Sequence, residues 1–255
     1  MDVRLNQPSE GPLKAIRVID ITTQITGPLC SQQLGDLGAD VIKIEPLHGE
    51  VARWSTPPEK AGLSGYYCQI NRNKRSLALD LKKTEAIAVV KKLAETADVL
   101  VENFRNGIAD KLGIGYQELK KINPRLVYVA ITGFGSTGPE SHRPAYDMLM
   151  QGLVGMMPIQ GKPYTGKPQL IQTAIVDKTT AITAAGVTVA ALYARDAPNG
   201  TGLGQRVDVP MMDAYAANSL PDVIGGDSFV PSELPEPSPL AVLRTWETAD
   251  GYVVG

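Results

Sequence analysis

Cysteine and histidine are scarce, with two of each in 255 residues. Cys30 and Cys68 fit no metal-ligand spacing and cannot make a disulfide framework. His48 and His142 have no second ligand nearby in sequence, so a structural or catalytic metal site is not expected. Aromatic residues make up only 5%, so a core must rest on Val, Ile, Leu and Ala. Neither sign of charge dominates: 25 Lys and Arg stand against 27 Asp and Glu, a net charge of -2. That balance gives no broad basic field, and nucleic acid is not an expected partner. No apolar run reads as long enough to span a bilayer, so no membrane partner is expected. The polar stretch Met1–Pro12 lacks the apolar segment of a signal peptide. Asn199-Gly200-Thr201 matches a glycosylation acceptor, but without a secretory signal it reads as a turn. A reducing cytoplasm is the expected compartment.

What is present in the first half is strand alternating with helix. Ile16–Thr22, Val41–Ile44, Val99–Val101 and Leu126–Thr132 are short β-branched or apolar runs that read as buried strands. Between them, helices are predicted over Gly27–Leu37, Thr84–Thr96 and Tyr116–Ile122; in the second, Ile87, Val90, Leu93 and Ala94 share one face. Strands joined through helices require crossovers, so the fold class is α/β, a largely parallel sheet with helices on both faces. Further on, helices are predicted over Ala145–Met157, Thr179–Arg195 and Met211–Ser219, with a strand at Arg206–Val209. Pro221, Pro231, Pro235, Pro237 and Pro239 then crowd one segment, which reads as a linker or extended crossing. Thr245–Glu247 and Tyr252–Val254 flank Asp250-Gly251, a hairpin signal. The organisation read from this is a large domain over 1–220, a Pro-rich linker over 221–240 and the start of a smaller domain over 241–255.

Four segments carry candidate chemistry, each with a bland alternative. Gly133-Phe134-Gly135-Ser136-Thr137-Gly138 matches GxGxxG after a strand, but Pro139 and Pro144 block a prompt helix. It reads as a glycine-rich turn rather than a dinucleotide loop, so no nicotinamide is expected. Arg72, Lys74 and Arg75 crowd Asn71–Arg75, either as a solvated basic loop or as a clamp for a polyphosphate. Glu102-Asn103-Phe104 follows a strand end, where ligands bind in open α/β sheets; Phe104 suits a purine or an ordinary core. Asp177 precedes the long Ala-rich helix and reads as its N-cap. A helix N-terminus also stabilises a carboxylate and offers N–H groups to a developing oxyanion.

These segments together resemble the family III CoA-transferases. The matching blocks are Thr26-Gly27-Pro28, Gly35–Glu45, Asn71–Leu81, Val101–Phe104, Gly133–Gly135, Asp177 and Gly202–Val207, in that order. The resemblance implies a Rossmann-like large domain plus a smaller one, two subunits threaded as an interlocked homodimer, and a chain continuing past residue 255. It implies coenzyme A as the bound group, bordered by Gln24, Ile25, Thr26, Arg72, Lys74, Arg75, Asn103 and Phe104. Lys111 stands where some relatives carry an Arg near the CoA. Asp177 matches the family nucleophile, which forms an enzyme-bound CoA thioester before an acceptor carboxylate takes the CoA.

The same superfamily includes α-methylacyl-CoA racemases, which carry a His directly before the position of Asp147. Here that residue is Tyr146, whose phenol replaces imidazole poorly as a base. Transfer is therefore expected over isomerisation, with Tyr146 as a second catalytic candidate that donates a hydrogen bond near the acyl group. The glycine-rich loop that covers the active site in formyl-CoA transferases is not seen in this chain, so a formyl/oxalate pair is not implied. A racemase-like isomerase, or a CoA-binding module inactive without C-terminal elements, are the alternatives.

Overall fold

The computed structural model describes residues 10–55, 59–223 and 245–254. A six-stranded sheet, parallel throughout, is built from β1 (Arg17–Asp20), β2 (Asp40–Glu45), β5 (Lys74–Ala78), β6 (Val99–Glu102), β7 (Val127–Thr132) and β8 (Arg206–Pro210). Its strand order is β5-β2-β1-β6-β7-β8. The short strands β3 (Glu59–Lys60) and β4 (Leu63–Ser64) pair with each other, apart from this sheet.

Both faces of the sheet are covered, which is why its strands read as continuous apolar runs. Val18, Val41, Val99, Val101, Val127 and Val129 point to one face, beneath α1 (Thr26–Asp36) and α8 (Ile175–Asp196). Ile19, Ile44, Leu100, Tyr128 and Ala130 alternate to the other, with side chains of α3 (Thr84–Ala94) and α5 (Tyr116–Ile122). The helix α8 is long and apolar enough to cross a membrane, contrary to the sequence reading. Here one face of it packs into the core, with Val176, Ala181, Ala184, Ala185, Ala191 and Leu192 buried in the first cluster, while Ile182 and Tyr193 are exposed. The small side chains let it pack closely on α1. Where α1 begins, Gly27 lies so near Thr22 that a Cβ would sit 2.4 Å from its side chain.

Several elements differ from expectation. Asn71–Arg75 is not a loop: α2 (Gly65–Asn71) ends there, Asn73 turns with φ 61°, and β5 begins at Lys74. This edge strand is polar along most of its length, so it gave no apolar signal. The expected helix Ala145–Met157 is two, α6 (Asp147–Leu153) and α7 (Met156–Thr165), separated at Gly155 with φ 83°. The Ala-rich helix starts at Ile175 after the N-cap Ala174, so Asp177 is its third residue and not its cap. After β7, Gly133 passes so close to Ala145 that a Cβ would stand 2.2 Å from that side chain. The glycine-rich segment then runs through turns, without opening a helix until α6. Short α4 (Ile108–Lys111) follows β6, and α9 (Met211–Val223) runs through Pro221, past the expected linker start. The rest of that linker lies outside the described residues. The hairpin is present as β9 (Thr245–Thr248) paired antiparallel with β10 (Gly251–Val254).

Candidate active site

The chain leaves β1 and β2 toward one edge of the sheet, then returns to β6 and builds toward the other. The reversal falls between β1 and β6, and a parallel sheet binds ligands at the carboxyl ends of such neighbours. A cleft of about 630 Å³ opens there. It is lined by Gln24, Ile25 and Thr26 after β1, by Asn103 and Phe104 after β6, and by Tyr146, Asp147 and Asp177. Seven of the eleven residues singled out from sequence therefore share one wall system. Tyr146 is 63% exposed there, open to whatever enters.

Asp177 sits in the first turn of α8. The hydroxyl of Thr26, first residue of α1, donates to its Oδ1. Burial, with the nearby Asp147 charge, pushes the Asp177 carboxyl up to about 6, while the Thr26 bond opposes the rise. The capping that sequence assigned to Asp177 is done by Asp147. Its Oδ2 accepts the N–H groups of Val176 at 2.8 Å and Asp177 at 3.1 Å, and its Oδ1 accepts Gln151 Nε2 at 2.6 Å. One carboxylate thus satisfies two donors that helix geometry leaves orphaned. The Asp177 side chain is free to face the cleft.

The basic segment is used differently from expectation. Lys74 Nζ donates to Asp20 at 2.9 Å, to the Pro28 carbonyl at 2.7 Å and to Asn71 at 2.8 Å. An ammonium has three donors, and all are spent at a side chain only 2% exposed. Lys74 therefore has no donor left for a phosphate. Burial pulls its pKa down to about 8, with Asp20 opposing. Asp20 is fully buried; burial would raise its carboxyl, but Lys43, Lys74, Ser31 and Thr22 hold it well below the carboxylate range. Arg72 pairs with Asp36 and Arg75 with Asp40, both on the exposed surface and outside the cleft lining. Lys111, exposed at the end of α4, is also outside it.

Sequence reading assigned no role to Asp147, Asp20, Lys43 or Glu50, and noted Glu102 only as part of the segment at a strand end. Asp147 was noted only as a neighbour of Tyr146, and nothing local marks it as the cap of a helix nearly thirty residues on. Glu102 ends β6, accepts the Phe104 N–H at 2.7 Å and is raised by burial to about 7. Among the described residues no group of three His, Cys, Asp or Glu is placed to hold a metal ion.

Comparison with known proteins bears on the family and the fold. A family model described as CoA-transferase family III matches residues 13–254. A Mus musculus protein named succinyl-CoA:glutarate CoA-transferase is 39% identical over 207 residues, covering 81% of this chain and 47% of its own. An Acetobacter aceti protein named acetyl-CoA:oxalate CoA-transferase is 41% identical over 209 residues, covering 82% and 53%. A solved CAIB/BAIF family protein from Brucella suis superposes with TM-score 0.84 at 34% identity, over 95% of this chain and 65% of that one. The chain spans about half the length of the curated relatives it matches. With the family model covering nearly every described residue and the relatives agreeing, the chain belongs to CoA-transferase family III.

Proposed function

We propose that the protein moves CoA from an acyl-CoA to a free carboxylic acid, with Asp177 as the covalent carrier. The observation that carries this is the Asp177 carboxylate, set on the cleft wall in the first turn of α8, where among the described residues only Thr26 donates to its side chain. The carboxylate attacks the donor thioester, giving a mixed anhydride and CoA thiolate. The thiolate attacks the aspartyl carbonyl, giving the Asp177–CoA thioester and releasing the donor acid. An acceptor carboxylate then reverses both steps. Two acyl transfers replace one difficult exchange, and one thioester replaces another, so the reaction needs no external energy source. Phe104 and Asn103 border the CoA, and Tyr146 donates to the reacting acyl group. Both named relatives pair a CoA thioester with a dicarboxylate, which supports a dicarboxylic acid as the acceptor here. The homodimer and the cytoplasmic location belong to the same proposal.

The test uses the full-length protein with donor acyl-CoA and hydroxylamine. Asp177 becomes a hydroxamate, read as a mass change on its own peptide. Asp177→Asn folds and transfers nothing. A full-length Asp177→Asn enzyme with wild-type turnover overturns the mechanism.

A further inference from the structure

The turn between β1 and α1 is held by side chains from three other places in the chain, two of them buried and Asn103 half-buried. Lys43 on β2 donates to the Thr22 carbonyl at 2.9 Å. Asn103 clasps Thr23, accepting its N–H at 2.9 Å and donating to its carbonyl at 2.8 Å. Glu50, at the start of the short 3-10 turn Val51–Arg53, accepts the Gln24 N–H through Oε2 at 3.0 Å. Gln24 has φ 68°, a left-handed conformation that costs a residue with a Cβ about 1–2 kcal/mol. Two residues on, Thr26 puts its hydroxyl on Asp177.

Glu50 is an expensive group to keep in that place. It is 2% exposed, and its Oε1 has no hydrogen-bond partner among the described residues. Burial raises its carboxyl, with Lys43 and the Gln24 N–H opposing and Glu45 and Asp20 adding to the rise. A half-satisfied buried carboxylate is a poor source of stability, and an apolar side chain of that size would cost less. What an apolar side chain cannot supply is an acceptor for the N–H of a strained residue.

We propose that Glu50 is a positioning residue: its hydrogen bond to Gln24 fixes the β1–α1 turn so that the Thr26 hydroxyl meets Asp177. The inference rests on the reading of Asp177 as the nucleophile. The groups that bear on Asp177 are Thr26 from α1 and Asp147 from α6, and its charge in turn bears on the Tyr66 phenol of α2. Those that face Glu50 are Asp20 on β1, Lys43 and Glu45 on β2, Arg53 in the 3-10 turn, and Tyr66 and Tyr67 on α2. Burial and the charges of Asp177, Glu50 and Asp147 together raise Tyr66 to about 12, which places Glu50 within electrostatic reach of the same group as the nucleophile.

Two full-length variants separate position from charge. Glu50→Gln keeps an acceptor oxygen at the same reach and removes the charge. Glu50→Asp keeps the charge and withdraws the acceptor by one methylene. The readouts are the Asp177 titration, followed by carboxyl-carbon NMR and assigned by its loss in Asp177→Asn, and the pH profile of transfer. Glu50→Gln is expected to keep the Asp177 midpoint within about 0.3 unit of wild type. Glu50→Asp is expected to raise it by about half a unit or more as the Thr26 bond is lost. Its kcat falls about tenfold while KM for acyl-CoA stays within about twofold. A folded Glu50→Gln variant with a displaced midpoint, or a folded Glu50→Asp variant with an unmoved one, overturns the proposal. A wild-type Asp177 that titrates but is never acylated would remove the transfer reading, leaving the NMR comparison to decide Glu50 by itself.

Discussion

Burial holds the Asp177 carboxyl protonated up to about pH 6, and it must lose that proton before it can attack a thioester. Transfer is therefore expected to rise with pH through about 6 and then level off. Thr26→Val removes the hydrogen bond that favours the ionised form and should move this limb to higher pH, read from the pH dependence of kcat/KM. The sign for stability is opposite to that of a paired carboxylate. A folded pKa of about 6 against an ordinary 3.8 favours folding at low pH, and the gain is lost as pH rises between them. Asp177→Asn should then be more stable than wild type above pH 6, by about 1–3 kcal/mol, with the difference shrinking toward pH 4. Denaturant unfolding at both pH values checks it, and equal differences at the two would refute the burial argument. Asp177 was legible as a carboxylate at a helix start. Its freedom from capping was not, because the acceptor that frees it comes from Asp147, thirty residues earlier in the chain.

Among the elements, α6 and α8 are coupled end to end through Asp147. Asp147→Ala leaves the Val176 and Asp177 N–H groups without their acceptor and should cost about 1–2 kcal/mol in urea unfolding. The same variant removes a charge that raises Asp177, so the acid limb of transfer should move to lower pH, against the direction expected for Thr26→Val. Limbs moving together in the two variants would show that the electrostatic assignment is wrong. The helices α3 and α5 and the inner strands were readable because apolar periodicity reflects burial directly. The edge strand β5 was not: it pairs only with β2, and its residues are half-buried or exposed. Polar residues there gave the pattern of a loop.

Across the molecule, Lys74 ties the sheet edge to the centre by joining β5 to Asp20 on β1 and to the Pro28 carbonyl in α1. Lys74→Ala leaves the buried Asp20 with Lys43, 3.8 Å away, as its remaining ion-pair partner. A loss of about 3–5 kcal/mol is expected, measured by denaturant unfolding. A folded variant of unchanged stability but weakened, salt-dependent CoA binding would restore the polyphosphate clamp read from sequence. Periodicity by itself determined the α/β class and the buried strands, because alternating burial and crossover helices leave a local imprint in the chain, while the family was legible only as a resemblance carried by motif blocks. Only the tertiary structure decided which charged residues are spent inside the fold and which face the cleft. Lys74, Arg72 and Arg75 are alike in charge and ion pairing, yet the Lys74 pair is buried while the other two lie on the surface. A side chain's pKa, partners and access to ligand depend on neighbours distant in sequence, and those neighbours exist only once the sheet has closed around β1.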